Sequence, residues 1–169
     1  MGSPEKDIIR DAGNMGFWGS ILLFIPIVDV VGAILILVAL HRLSKAYGNE
    51  AIWRNALYAI ITNIVSIVLL FAILFLLISF TNPLTYTIPS NASRFGLTIF
   101  FYIFALISGW FMKNAFNALR GSSGVEDFGK TAKWYWIGAI LSIIGVGLIL
   151  IIVAYVYAML GFRKLKNLQ

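Results

Sequence analysis

Cysteine is absent from this 169-residue chain, which excludes disulfides, thiolate metal sites and cysteine nucleophiles. Histidine occurs once, at His41. Zinc sites draw three or four ligands, so no zinc centre is expected, and His41 reads as an interfacial residue beside Arg42. Charge is scarce too, at 12% against about 25% in ordinary soluble domains. The residues that remain offer no nucleophile and base constellation, no phosphate-cradling glycine loop and no metal set. The expectation is therefore a protein without enzymatic activity and without a cofactor.

What is present is apolar residue, 60% of the chain, more than a single soluble core of this size hides, so the bilayer is the expected solvent. Four windows stand out: 15–40, interrupted by Asp29, then 56–80, 95–112 and 134–162. Each is long enough to cross a hydrocarbon core, which takes roughly 17 to 25 helical residues. Residues 66–80, SIVLLFAILFLLISF, are apolar on both faces of any strand, which points to helices and not to barrel strands. The first window is too long for a cleavable signal, and Glu5, Lys6, Asp7, Arg10 and Asp11 before it are mixed in sign. A retained first helix and a full-length mature chain are expected. The net charge of +6 comes from Lys and Arg spread beside the ends of spans, which suits lipid headgroups as partners and not nucleic acid.

The chain also repeats itself. A shift of 76 residues lays 39–66 on 115–142 without a gap, with identical pairs at Ala39/Ala115, Leu43/Leu119, Gly48/Gly124, Glu50/Glu126, Ala56/Ala132, Ile61/Ile137, Ile64/Ile140 and Ser66/Ser142. The repeated unit is helix, polar turn, helix. Gly48 and Gly124 stop the first helix, and an acidic residue in the next first turn complements the helix dipole. Ser123 and Glu126 have the spacing of a capping box. The adjacent pair Glu126 and Asp127 reads as a feature of the same helix N-terminus rather than as a divalent-ion site.

The two connectors, ALHRLSKAYGNEAIWRNALYAI and NAFNALRGSSGVEDFGKTAKWYWIGAIL, in register with apolar spans, resemble the archaeal integral-membrane family called domain of unknown function 996. The resemblance covers about residues 16–158. It implies an archaeal source and a multi-pass fold, which with the apolar windows gives an expected cell-membrane location, and it carries no activity or site residue with it.

The expected fold class is all-α: a polytopic membrane protein with four transmembrane helices, arranged as two tandem parallel αα-hairpin repeats. In this division residues 1–14 are a polar N-terminal segment, 15–80 the first hairpin, 81–94 an exposed loop, 95–160 the second hairpin and 161–169 a basic tail. Seven Lys and Arg then flank the repeated turns against six on the other side, a ratio at which the positive-inside rule says little. The N-x-S sequon at Asn91, a candidate glycosylation site, places the central loop outside and the turns in the cytoplasm. The rival is six segments, with the first and last windows broken at 26–29 and 145–147. That arrangement puts twelve basic residues on one side and one on the other, but its arms are short. Residues 15–25 span about 16 Å, a re-entrant reach.

Within the spans, Asp29 is the one ionisable group near mid-depth, where a bare charge is costly. Asn63, Ser66, Ser108 and Ser142 fall close to its level and complete a candidate polar layer. Asp29 is either an ion or proton ligand there or a cap on the helix restarting after Pro26. Small residues at Ala105 and Gly109, Gly138 and Ser142, and Ala154 and Ala158 recur at four-residue spacing and mark candidate helix contacts, within one chain or between copies. Trp18, Trp53, Trp110, Trp134, Tyr135 and Trp136 form an interfacial belt, with Lys113 snorkelling. The expected function is a non-enzymatic membrane protein that self-associates as a homo-oligomer or organises the bilayer. The alternative is an oligomeric ion channel or small transporter with Asp29 in its path.

Overall fold

A computed structural model describes residues 3–80 and 91–167, with side chains over 5–76 and 95–167. All regular structure among the described residues is helical: α1 (Ser3–Leu22), α2 (Asp29–Ala46), α3 (Glu50–Phe80), α4 (Asn91–Ser123), α5 (Glu126–Leu141), a 3-10 turn (Ser142–Ile144) and α6 (Gly147–Lys166). Three of these helices have the length and apolarity to cross a membrane, over Glu50–Leu76, Phe95–Ser123 and Gly147–Lys166.

The first and last windows are not continuous helices, which corrects the four-helix expectation in favour of six segments. Pro26 supplies no backbone N–H and cannot continue α1. The chain instead turns through Ile27 at φ +78°, and the amides of Val28 and Asp29 both donate to the Ile25 carbonyl at 3.2 and 3.0 Å. In the last window Gly145 takes φ +80°, a conformation that glycine adopts without steric cost. Behind each turn two glycines let the arms meet backbone to backbone. A Cβ on Gly19 would stand 2.8 Å from the Gly32 carbonyl oxygen, and one on Gly138 would stand 2.9 Å from that of Gly147. No larger side chain fits either crossing unless the arms separate.

Each helix packs against the next in sequence, and α6 packs against α1, so the six close into a ring. Gly13 and Gly16 on α1 receive Leu165 and Phe162 of α6. The polar residues of the N-terminal segment lie in the first turns of α1, and the basic residues 163–166 lie in the last turn of α6. Because the connections alternate, the starts of α1, α3 and α5 and the ends of α2, α4 and α6 share one end of the bundle. That end collects every Lys and Arg except Arg94, and every acidic residue except Asp29.

The tightest packing lies just beneath this charged end. Phe128 stands between Phe116, stacked at 6.1 Å, and Phe162, edge-on at 5.1 Å, with Leu43, Ile52, Leu119 and Leu165 fully buried around them. Beyond the two hairpin turns α3 and α4 continue as a pair. From Ser66 to Phe80 α3 runs about 21 Å further, with Val68, Phe71 and Phe75 exposed.

Replacing Gly19 or Gly138 with Ile is expected to lower unfolding stability in detergent by about 2 kcal/mol or more, since one arm of the hairpin must move away from the other. Gly121→Ala, where an added Cβ meets nothing within 4 Å, is expected to stay within about 0.5 kcal/mol of the parent or to stabilise the helix slightly. Denaturation followed by circular dichroism separates these outcomes.

Candidate functional site

A partly open pocket of about 110 Å³ lies between the helices on the side of the aromatic core nearer the hairpin turns. Its walls are mainly Ala33, Ile36, Leu37, Ile60 and Met112, with three polar groups: Asn63, Tyr135 and Tyr155. The two tyrosines meet edge to face across the α5–α6 hairpin, with ring centroids 6.0 Å apart. At roughly 30 Å³ per molecule the space holds three or four waters or a small lipophilic group. Leu40 and Phe116 join its walls to the buried cluster that includes Leu43, Phe128 and Phe162.

The five residues of the expected polar layer are not brought together around this cavity. Asn63 lines it, but Asp29 does not. Asp29 is exposed in the first turn of α2, where its Oδ1 accepts the backbone N–H of Val30 at 2.9 Å. Val28 takes the cap position, and the carboxylate accepts from within the first turn, where the positive end of the helix dipole favours it. Ser108 donates to the Ala59 carbonyl at 3.2 Å and pins α4 to α3. Ser142 donates to the Ala139 carbonyl within its own turn, and Ser66 is half-buried on α3.

The small residues serve contacts inside the chain. A Cβ on Gly109 would meet that of Ala139, and Ser142 faces Gly147. Ala154 and Ala158 are fully buried on α6, and Ala105 borders a hollow beside Ser142. Sequence reasoning missed Gly13, Gly16 and Gly19 on α1, whose three-residue spacing was the available signal. Asn91 is the first residue of α4, and its side chain lies outside the described residues.

At the charged end the two repeated turns differ. Gly48 and Gly124 take φ +62° and +70° and end their helices as expected. Asn49 of the first turn reaches Ser122 of the second at 2.9 Å. The expected capping box at Ser123 does not form, because α4 runs through Ser123 and Val125 takes the cap position. Glu126 turns instead to Arg120 at 2.7 Å. Asp127, 6% exposed, holds Lys164 at 2.6 Å and Lys130 at 3.8 Å. The second copy is thus neutralised by its own acids.

In the first copy Ala51 stands where the second has Asp127, and Ser44 stands where it has Arg120. Ser44 donates to the Asn49 carbonyl. A hollow of about 350 Å³ opens there, lined by His41, Lys45, Glu50, Trp53, Arg54 and Tyr58, among others. His41 lies edge-on to Trp53 at 4.4 Å, and its Nδ1 is buried without a hydrogen-bond partner. In the adjoining turn, burial pushes the Tyr47 phenol above its ordinary range. Lys113 sits over Trp110 at 4.7 Å and Trp136 at 5.2 Å, and Lys166 over Phe17 at 5.1 Å, the cation–aromatic contacts of an interfacial belt. No group of three or more His, Asp or Glu among the described residues is placed to hold a metal ion.

The model of the family described as protein of unknown function (DUF996) matches residues 28–156. The chain belongs to this family. It is also similar to an uncharacterized protein of the archaeon Methanocaldococcus jannaschii, 30% identical over 167 residues that cover 94% of each chain. No solved structure matches it.

Lys164→Met is expected to destabilise the fold by about 1–3 kcal/mol, because it leaves the buried Asp127 carboxylate without its short contact. Lys130→Met, which removes only the longer 3.8 Å contact, should cost less than about 1 kcal/mol. Parallel chemical denaturation of the two variants in one detergent provides the comparison.

Proposed function

We propose that this chain is a non-enzymatic integral membrane protein that organises the bilayer by filling one leaflet more than the other. The observation that carries the reading is where the two hairpins end. Their turns are apolar and exposed, with Ile27 92% and Ile144 66% exposed, and they lie beside the middle of α3 and α4 rather than near the far ends. In water such surface would be untenable on a monomer. In hydrocarbon it costs nothing.

On this reading six helices occupy the leaflet next to the charged end, and only α3 and α4 occupy the other. The polar end carries nearly all Lys and Arg and faces the cytoplasm by the positive-inside bias. Although α6 is long enough to cross by itself, its pairing with α5 holds it as a re-entrant arm. The small-residue contacts are satisfied within one chain, so the wedge is the single chain and needs no second copy. Transport through Asp29 has no comparable support, since that carboxylate serves its own helix.

The test is reconstitution into phosphatidylcholine vesicles. Single cysteines introduced by Ser123→Cys and Asn167→Cys are expected to react with an impermeant maleimide from the same side. Those from Ile27→Cys and Ile144→Cys should react only after detergent is added. Mean vesicle radius in electron cryomicroscopy should fall as the protein-to-lipid ratio rises. Labelling of positions 123 and 167 from opposite sides, or vesicle sizes that do not respond, would overturn the proposal.

A further inference from the structure

The two copies of the repeated turn act as each other's control, and the comparison singles out the hollow of the first. In the second copy Arg120 pairs with Glu126, while Lys130 and Lys164 gather on Asp127. In the first copy the equivalents of Arg120 and Asp127 are Ser44 and Ala51, and neither Lys45 nor Arg54 forms an ion pair among the described residues. Arg54 is the repeat mate of Lys130, so loss of the acid has left its charge without a protein partner. Trp53 stands where the second copy has Gly129, the position over which Arg120 folds. An indole there builds one wall of a hollow in place of a bridge.

Two cations thus flank a space of about 350 Å³ that His41 also lines. Glu50 is the single carboxylate on the wall. Trp53 and Tyr58 are the residue types that settle at headgroup depth, and Leu57 gives the hollow an apolar side. A group that fits has a compact negative charge, several acceptor oxygens and an apolar flank.

We infer that this hollow binds a phosphate group, with Lys45 and Arg54 as its charge partners. A guanidinium and an ammonium on opposite helices meet phosphate oxygens by charge-assisted hydrogen bonds. Two sources share this chemistry: the headgroup of an anionic phospholipid and free phosphate. The lipid source rests on the membrane reading above, whereas phosphate recognition itself does not.

The full chain, purified in a mild nonionic detergent, is titrated with dioleoylphosphatidylglycerol or dioleoylphosphatidylcholine, and bound lipids are counted by native mass spectrometry. Phosphatidylglycerol should be retained in preference to phosphatidylcholine. Lys45→Ala and Arg54→Ala should each lower its binding about fivefold, the effect of one cation at an anionic surface. Lys130→Ala, the repeat mate of Arg54→Ala, should leave binding within twofold. Thermal unfolding of each variant confirms that it is folded, and Arg54→Lys should restore part of the loss if folding is intact.

Inorganic phosphate separates the sources. If millimolar phosphate leaves phosphatidylglycerol bound, the site takes a lipid; if it displaces the lipid and binds alone by isothermal calorimetry, the site takes free phosphate, and either result supports the inference. Equal retention by the Lys45→Ala, Arg54→Ala double variant and the parent overturns it. So does an equal loss on Lys130→Ala, which would make retention a property of the charged end at large. Failure to enter phosphatidylcholine vesicles would count against the membrane reading alone, because the titration in detergent does not depend on it.

Discussion

The close approach of backbones at Gly19 with Gly32, and at Gly138 with Gly147, is the contact on which the remaining architecture depends. Helices in lipid gain little from hiding apolar surface against one another, so they associate through contact area and polar satisfaction. A pair of facing glycines gives the largest contact for the shortest arm. It lets a helix of 18 or 20 residues fold back on its neighbour instead of continuing across. Closure follows: with both hairpins formed, α1 and α6 become neighbours, and Gly13 and Gly16 accept Leu165 and Phe162.

The closed ring fixes what can be built at each level. At the charged end the three phenylalanines and their aliphatic neighbours fill the middle. Nearer the turns the packing opens into a pocket with a paired tyrosine wall. A bundle of six equal spans would place a core at every depth. This one concentrates it at one end and leaves α3 and α4 to extend alone, with Val68, Phe71 and Phe75 of α3 exposed. The charge distribution and the distribution of helix ends are therefore one fact seen twice, since short arms return each chain end to the side from which it came.

How much of this was readable from the residues follows from the kind of signal each feature leaves. Helical class, membrane composition and the two glycine-stopped turns depend on local pattern, and all are visible in runs such as 66–80 and in the match of Gly48 with Gly124. Segment number was harder, because two signals conflict. The repeat maps the unbroken α4 onto the first window, whereas the twelve-to-one charge count demands a break. The charge count prevailed because duplication conserves local turns without fixing what precedes them: α2 corresponds to the second half of α4, and α1 has no counterpart in the repeat. Pro26 made a helix start near Asp29 readable, but the cap position falls to Val28 and Asp29 is the first residue of the helix. The capping box failed because α4 runs on through Ser123 and leaves the cap position to Val125, while Glu126 pairs with Arg120. The cavity left no trace in the sequence, since Asn63, Tyr135 and Tyr155 come from three helices and share no spacing.

Duplicated turns that begin alike are free to diverge once the fold no longer depends on both. Here the second copy took the structural task. Its buried Asp127 ties α5 to the end of α6 through Lys164, and Phe128, next in sequence, centres the aromatic core. The first copy keeps the same helix stop and the acidic first turn, but it closes with a lighter set of bonds, from Ser44 to the Asn49 carbonyl and from Asn49 to Ser122. With the join to the second copy made by an uncharged pair, Lys45 and Arg54 are not needed to hold the turns together. A cation that the fold does not use, beside a tryptophan and above an apolar wall, is available to whatever anion the surroundings supply. The asymmetry between the two ends of the bundle thus recurs between the two turns, one committed to the fold and one left open at its surface.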